Sequence, residues 1–273
     1  MTVSRPQALY VYAHPEQRSF NRELFDAARA ELELTHDVVT SDLYAMGFDP
    51  RLGEHDLGAF ARTNGSFLTR WSSALAAAQL PEEICVEQQK LLDADLVVLQ
   101  FPLWWYSVPA ILKGWFDRVL SAGFGFDVRD PETGRTRKYG DGLLTGKRAL
   151  VVVSFGEAGS ALSPRGIAGD LESVLYGLIH GTLFYTGIEV LPLHAIPEAD
   201  DFDSADVARE IARLRARVSE LRTERPIPFR RMRGGDYTPE RVLREDVAPG
   251  RTDLGIHRED SGRPDAGALR PAG

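Results

Sequence analysis

The sequence predicts an α/β fold, a doubly wound parallel sheet with helices on both faces. Five apolar runs alternate along the chain with segments in which apolar residues recur at helical spacing. The runs are continuously apolar, which is typical of parallel strands that are covered on both faces. Strand–helix–strand units repeated in this way build a doubly wound sheet.

The elements follow from these patterns in chain order. The strands are expected at 8–13, 36–41, 95–101, 148–154 and 189–196. Between them, one-sided apolar patterns predict helices at 20–33, 110–121 and 204–221. The stretch 50–93 is long enough for more than one helix before the third strand.

Two regions depart from this alternation. Residues 124–146 are polar and rich in turn signals, which predicts a surface excursion, with a hairpin as one form of it. Residues 225–273 hold ten arginines and little periodicity. We therefore divide the chain into one domain at 1–224 and an irregular C-terminal extension at 225–273. The extension either wraps the body or a partner subunit, or is partly disordered.

Composition excludes several classes of protein. Acidic residues outnumber basic ones 40 to 32, whereas a general nucleic-acid binder usually shows the opposite balance. The single cysteine, Cys85, excludes an internal disulfide and a four-thiolate metal site. The histidines show no metal-ligand spacing. We expect a protein that binds neither metal nor nucleic acid.

A membrane span and a secretory signal are also not expected. The N-terminus carries an apolar run of only six residues, 8–13, which is too short for a signal peptide. The uncharged stretch 96–112 contains Pro102 and Pro109 and is typical of strand, loop and helix. The predicted location is cytoplasmic.

Ligands of an open parallel sheet bind outside the carboxyl ends of its strands. The first such end carries His14, Arg18 and Ser19. Ser19 is placed to cap the helix that begins near Phe20, and the free N–H groups of that first turn would form an anion site. An ordinary capped helix with two solvated basic side chains explains the same residues equally well.

The third strand end carries an aromatic shelf, Trp104, Trp105 and Tyr106, between two prolines. Such a shelf suits a flat conjugated ligand, while core packing is the alternative. Two adjacent tryptophans cannot both face one core, so at least one is expected to face a cleft or a partner. The fourth end carries Gly156 and Gly159, which permit close approach of a ligand or form an ordinary turn.

These three loops are neighbours if the strand order is 2-1-3-4-5. Together they offer a phosphate site, an aromatic shelf and a glycine-bearing loop. A flat ring system with a phosphorylated arm, which describes a flavin, fits this set best.

The motifs at these positions resemble those of the NAD(P)H:quinone oxidoreductase family of flavodoxin-like flavoproteins. The resemblance covers about residues 9–193 and is most specific in the block QFPLWWYSVPAILKGWFDRV at 100–119. The other matching segments are AHP at 13–15, SFN at 19–21, SDLYAMGFDP at 41–50 and GIAGD at 166–170.

The resemblance implies an enzyme with FAD as cofactor, with FMN left open, and NAD(P)H as hydride donor. It also implies a homodimer with active sites at the interface, and alternating (ping-pong) hydride transfer to a quinone or related conjugated acceptor. Carried over by position, the cofactor-binding residues are His14, Arg18, Ser19, Phe20, Asn21, Pro102, Leu103, Trp104, Trp105, Ser154, Phe155, Gly156 and Glu157.

The chain departs from the family pattern in the expected substrate pocket. Leu162 and Ala168 stand where better-known members carry a tyrosine and a histidine, and neither can donate a hydrogen bond. Arg165, between them, is a hypothetical replacement for the lost positive partner. Glu157 replaces a glycine. The expected pocket residues are Trp105, Phe126, Val128, Leu162 and Ala168.

The altered pocket leaves two other functions open. One is a flavin-dependent azo, nitro or enone reductase of a biosynthetic pathway. The other is a regulatory flavoprotein subunit of a potassium-efflux antiporter.

Overall fold

The computed structural model describes residues 5–260. The strands are β1 (Gln7–Tyr12), β2 (Asp37–Asp42), β3 (Leu96–Pro102), β4 (Arg148–Ser154), β5 (Glu189–Val190) and β6 (His194–Ile196). The helices are α1 (Phe20–Leu32), α2 (Phe67–Ala76), α3 (Glu82–Asp93), α4 (Ala110–Val119), α5 (Leu171–Val174), α6 (Tyr176–Leu178) and α7 (Ser204–Glu220).

The strands form one parallel sheet in the order β2-β1-β3-β4-β5, with β6 pairing to β4. The predicted fold class and strand order are therefore confirmed. Side chains on one face pack against α1 and α7, and those on the other face pack against α4 and residues 171–184. Both faces are apolar because both are covered.

The prediction of one continuous strand at 189–196 is wrong in detail. After Val190, the N–H of Leu191 still donates to the carbonyl of Ala149 at 2.8 Å. The next residue, Pro192, has no N–H, so it cannot continue the ladder. The chain returns to β4 at His194, and the expected fifth strand consists of two short pieces.

The stretch 50–93 does hold two helices, α2 and α3, preceded by a 3₁₀-helical segment at Glu54–Arg62. It is tied to the body by Arg118 of α4, whose guanidinium donates to the buried Asp56 carboxylate at 2.6 Å. Gly114 lets α4 approach this stretch, because a Cβ there would lie 2.2 Å from the carbonyl oxygen of Pro50.

The excursion at 124–146 contains one antiparallel bridge, between Arg129 and Thr136, so its hairpin is very short. The extension packs against the body as far as residue 260. The N–H of Ile227 donates to the carbonyl of Val190 at 2.7 Å, and the Ile227 and Phe229 side chains are buried in the main core. Residues 261–273 of the predicted extension lie outside the described residues.

No helix within residues 5–260 combines the length and the apolar character that crossing a bilayer requires.

Candidate flavin site

Three loops lie side by side at the carboxyl edge of the sheet. They are residues 13–21 after β1, 102–107 after β3 and 154–159 after β4. The N–H of Ala13 donates to the carbonyl of Gln100 at 3.0 Å, and the N–H of Leu103 donates to that of Ser154 at 2.8 Å. Ladder bonds between neighbouring strands thus continue into the loops and hold them together.

The first loop ends in a capped helix, as predicted. The Ser19 hydroxyl accepts the N–H of Arg22 at 3.2 Å and so caps α1. The N–H groups of Phe20 and Asn21 make no hydrogen bond within residues 5–260. Unpaired N–H groups at a helix N-terminus favour an anion, since the helix dipole adds to their partial positive charge.

The basic side chains in this loop and in the first turn of α1 differ in whether carboxylates already pair with them. Arg22 is committed to two carboxylates, those of Asp26 at 3.0 Å and Asp42 at 3.1 Å. Arg18 is exposed and makes no hydrogen bond or ion pair with other described residues. His14 Nδ1 lies 3.2 Å from the Glu16 N–H, 3.3 Å from the Glu16 carbonyl oxygen and 3.2 Å from the Ser19 hydroxyl, whereas Nε2 makes no hydrogen bond within residues 5–260. Arg18 and His14 Nε2 are therefore available to an anion.

The second loop is a tight two-residue turn. Trp104 and Ser107 exchange two main-chain hydrogen bonds, of 3.1 and 3.0 Å, around Trp105 and Tyr106. Both central residues are left-handed, with φ of 51° and 57°. Left-handed backbone costs a residue with a side chain about 1–2 kcal/mol, and this turn type usually takes asparagine and glycine.

The three aromatic side chains of this turn are open to solvent. Trp105 is 95% exposed, Tyr106 51% and Trp104 43%. The inference that adjacent tryptophans cannot share one core is therefore confirmed, and neither of them is buried. The Trp104 ring lies 6.4 Å from that of His14, centroid to centroid, which places the aromatic turn beside the candidate anion site.

The third loop begins buried and becomes exposed. Ser154 and Phe155 are buried, whereas Gly156 and Glu157 are exposed and their N–H groups have no partner among the described residues. The Glu157 carboxylate accepts the N–H of Ala158 at 2.9 Å, which draws its charge toward its own loop. The loop thus presents two main-chain donors next to the aromatic turn.

Known proteins share this sequence and architecture. The family model described as flavodoxin-like fold matches residues 6–221. The ribosyldihydronicotinamide dehydrogenase-like protein traD of Penicillium crustosum is 39% identical over 259 residues, which cover 92% of this chain and 95% of that protein. The human ribosyldihydronicotinamide dehydrogenase (quinone) is 39% identical over 226 residues, covering 81% and 94%. This chain belongs to the NAD(P)H:quinone oxidoreductase family.

A solved structure extends the likeness to three dimensions. A structure described as a quinone reductase of Klebsiella pneumoniae superimposes with a TM-score of 0.88 at 40% identity, and the match covers 93% of this chain and 99% of that one. The suspected family is therefore confirmed, and the chain is an oxidoreductase of that family.

The positions at which the chain departs from the quinone reductase pattern lie in different environments. Leu162 is only 1% exposed and packs in the main core, and Val128 is buried as well. Phe126 and Ala168 are half-buried. In a single chain, Leu162 therefore offers almost no surface to a substrate.

Within the segment 162–168, the residues next to Ala168 are more exposed than Leu162. Arg165 is exposed and makes no ion pair within residues 5–260. Ile167 is 98% exposed. The sequence gives no signal for Ile167, because a single isoleucine in a glycine-rich loop has no periodicity from which its direction could be inferred.

Two buried histidines, His180 and His194, contact neighbouring side chains of the body. His194 is buried and its Nε2 lies 2.7 Å from Glu210 Oε1. Burial lowers the pKa of His194, although the hydrogen bond to Glu210 opposes that effect. His180 stacks on Tyr176, with ring centroids 4.6 Å apart. Among residues 5–260 no group of three histidine, cysteine, aspartate or glutamate side chains is arranged to hold a metal.

Proposed function

We propose that this protein is an FAD-dependent NAD(P)H oxidoreductase that transfers a hydride, in two alternating half-reactions, to a quinone or related conjugated acceptor. One observation carries the proposal. Three exposed aromatic side chains stand on a left-handed turn, directly beside unpaired main-chain donors of two neighbouring loops. A monomeric protein rarely exposes such an apolar group unless it binds something.

The first loop would hold the phosphate groups of the flavin nucleotide. The N–H groups of Phe20 and Asn21 would donate to phosphate oxygens, and Ser19 keeps the helix end in place. Arg18 and His14 Nε2 would add charge and a further donor. FMN would use the same residues for its single phosphate.

The second and third loops would hold the ring. Trp104 and Trp105 would stack on it, with Pro102 and Leu103 forming the base of the turn. The N–H groups of Gly156 and Glu157 would donate to the pyrimidine edge, where negative charge develops on reduction. Ser154 and Phe155 lie buried behind them. The flavin would supply the hydride chemistry itself.

The acceptor would bind on the open side of Trp105, near Phe126 and Ala168. Val128 and Leu162 would support this pocket from behind, since both are buried. The family pattern places a second copy of the chain there, and we propose a homodimer whose interface completes the pocket. The pocket contributes few polar groups and therefore favours an apolar conjugated acceptor.

Arg165 would offset the charge that forms on the reduced ring. The proposal rests on its exposure, on its lack of an ion pair within residues 5–260, and on its place between Leu162 and Ala168. Stopped-flow reduction by NADPH tests it. Arg165→Ala should slow reduction, and an unchanged rate would remove this role.

The names of the relatives support a quinone acceptor. The human protein carries the word quinone in its name, and so does the NAD(P)H dehydrogenase (quinone) 1 of Rattus norvegicus, 40% identical over 194 residues. Neither an azo, nitro or enone acceptor nor an antiporter partner is favoured by these names. The cytoplasmic location expected from the sequence stays a prediction.

The test is an anaerobic one. In purified protein reconstituted with FAD, NADPH or NADH should bleach the yellow absorbance of the bound flavin. Adding a quinone should then restore that absorbance. Steady-state rates at several concentrations of both substrates should give parallel reciprocal lines, as alternating half-reactions require. Protein that binds flavin but is not reduced by either nucleotide would contradict the proposed activity.

A further inference from the structure

A chain of buried hydrogen bonds runs beneath the three loops. Tyr10 Oη donates to Gln100 Oε1 at 2.6 Å, and Gln100 Nε2 donates to the main-chain oxygen of Asn21 at 2.7 Å. Ser154 Oγ donates to Asn21 Oδ1 at 3.0 Å. Tyr10 and Gln100 are fully buried, and Ser154 and Asn21 nearly so. Four polar side chains from β1, β3, β4 and α1 thus meet inside the molecule.

The direction of the first two bonds is fixed by chemistry. A main-chain carbonyl oxygen can only accept, so the Gln100 atom facing Asn21 must be the amide nitrogen. The other amide atom is then the oxygen, and the Tyr10 hydroxyl must donate to it. Burial raises the pKa of Tyr10, which keeps its hydroxyl protonated and able to donate.

Gln100 holds both ends of the first loop. Its main-chain oxygen accepts the N–H of Ala13, where the loop begins. Its side chain donates to Asn21, in the first turn of α1, where the loop ends. The intervening residues 14–20 contain every candidate phosphate ligand except Asn21 itself. A single residue therefore holds both ends of that loop, one through its main chain and the other through its side chain.

Asn21 is the point at which this network reaches the surface. Its main-chain oxygen and its Oδ1 both accept bonds from the interior. Its own N–H and its Nδ2 make no hydrogen bond within residues 5–260. The network therefore directs both Asn21 oxygens toward the interior and leaves its N–H and Nδ2 without a partner among the described residues, which suits an anionic ligand.

We propose that Tyr10 and Gln100 are positioning residues, which hold the first turn of α1 at the separation and orientation that a flavin phosphate requires. The inference rests on the proposed function, because it assigns these residues to the phosphate arm of the same ligand. It predicts that they matter for flavins that carry a phosphate and not for the ring alone.

A paired substitution tests this without separating the Tyr10 hydroxyl from the Gln100 amide, and only the main-chain oxygen of Asn21 loses a donor. In Tyr10→Phe/Gln100→Leu both partners become apolar, which is far less disruptive than removing one of them. The Tyr10 ring packs edge-on against Phe25 at 4.9 Å, and the phenylalanine would keep that contact. The single change Tyr10→Phe is the milder second variant. Tyr176→Phe is the matched control, because its buried hydroxyl has no hydrogen-bond partner within residues 5–260 and lies on the other face of the sheet.

The readout is the affinity of each protein for FAD, FMN and riboflavin, measured by fluorescence titration of the full chain. The double variant should bind FAD and FMN about fivefold more weakly, which is the order that one net hydrogen bond contributes. Its affinity for riboflavin, which has no phosphate, should stay within about twofold of wild type. Tyr10→Phe should shift in the same direction by less, and Tyr176→Phe should not shift.

Three results would overturn the inference. Equal weakening for riboflavin and FAD would show that the network supports the whole site and not the phosphate arm. Unchanged affinity for all three flavins, in the double and single variants alike, would show that it positions nothing. Failure of the wild-type protein to bind any flavin would contradict the proposed function as well as this inference. That outcome is seen in the wild type alone, whereas the first two results concern only the variants.

Discussion

Two aromatic groups of this molecule lie in opposite environments. The first is the aromatic turn, Trp104 to Tyr106. The second is an aromatic cluster of Tyr139, Tyr176, His180 and Phe229, with ring centroids about 5 Å apart between His180 and each of the others. The turn is exposed and its backbone is left-handed, whereas the cluster is buried or half-buried where the extension packs on the body.

The difference shows how a ligand surface is distinguished from a core. The cluster lowers its free energy by removing rings from water, so its side chains stabilise the fold. The turn gains nothing of that kind and carries a backbone cost as well. Because the turn does not stabilise the fold, we infer that its exposed aromatic side chains serve to bind a ligand. The following predictions test this contrast from the largest expected effect to the smallest.

Phe229→Ala should destabilise the fold by about 3–5 kcal/mol, because it removes a buried ring and leaves a cavity. The free energy of unfolding by urea is the measurement. Trp105→Ala is the exposed counterpart and should change that free energy by less than about 0.5 kcal/mol. A similar loss of unfolding free energy in the two variants would show that Trp105 stabilises the fold as a buried ring does.

Acid should weaken the aromatic cluster through His180. Burial lowers the pKa of His180 to about 4, while in the unfolded chain the ring takes up a proton near pH 6.5. Its contribution to stability is therefore complete above about pH 6.5 and is lost as the pH falls toward 4. The wild type should lose about 2 kcal/mol more than His180→Phe between pH 7 and pH 4.5.

The comparison of the two proteins isolates this histidine, because carboxylates titrate in both. Urea unfolding at each pH is the measurement. Parallel stability curves for the wild type and His180→Phe would show that the ring is as easily protonated in the folded protein as in the unfolded one.

Trp105→Ala should weaken flavin or acceptor binding while sparing the fold. One lost aromatic stacking contact corresponds to about three- to tenfold in affinity. Titration with FAD and the steady-state KM for a quinone together report which ligand the ring contacts. An FAD affinity and a quinone KM equal to those of the wild type would show that Trp105 contacts neither ligand.

Tyr106→Gly should stabilise the fold slightly, by about 0.5–1 kcal/mol. Glycine adopts the left-handed conformation without strain, and this gain exceeds its greater entropy loss on folding. A melting temperature at or below that of the wild type would show that the turn is not strained. Gly146, which is already left-handed at φ 92°, offers the reverse control, since Gly146→Ala should destabilise.

The sequence predicts most of this fold because its signals are local. Continuous apolar runs give the strands, and Ser19 marks the start of α1. The division of the last strand was missed, although Pro192 carried the signal. The packing of the extension through Ile227 could not be predicted, because two apolar residues in an arginine-rich stretch have no periodicity.

The site was only partly predictable for a different reason. The sequence indicates which loops meet, since that follows from strand order. It does not reveal that Gln100 holds both ends of the first loop, because a glutamine within an apolar strand gives no sign of its partner. The exposure of Trp105 was inferred from its neighbour, but its left-handed backbone depends on the hydrogen bonds between Trp104 and Ser107 and appears only in three dimensions.

The most direct test of the account is an equilibrium titration of the purified wild-type protein with FAD, followed by flavin fluorescence. If the ring stacks on Trp104 and Trp105, one FAD should bind per chain and its fluorescence should be strongly quenched, with weaker binding in Trp105→Ala. FAD and FMN that stay fully fluorescent in the presence of excess protein would contradict the assignment of this edge of the sheet to a flavin.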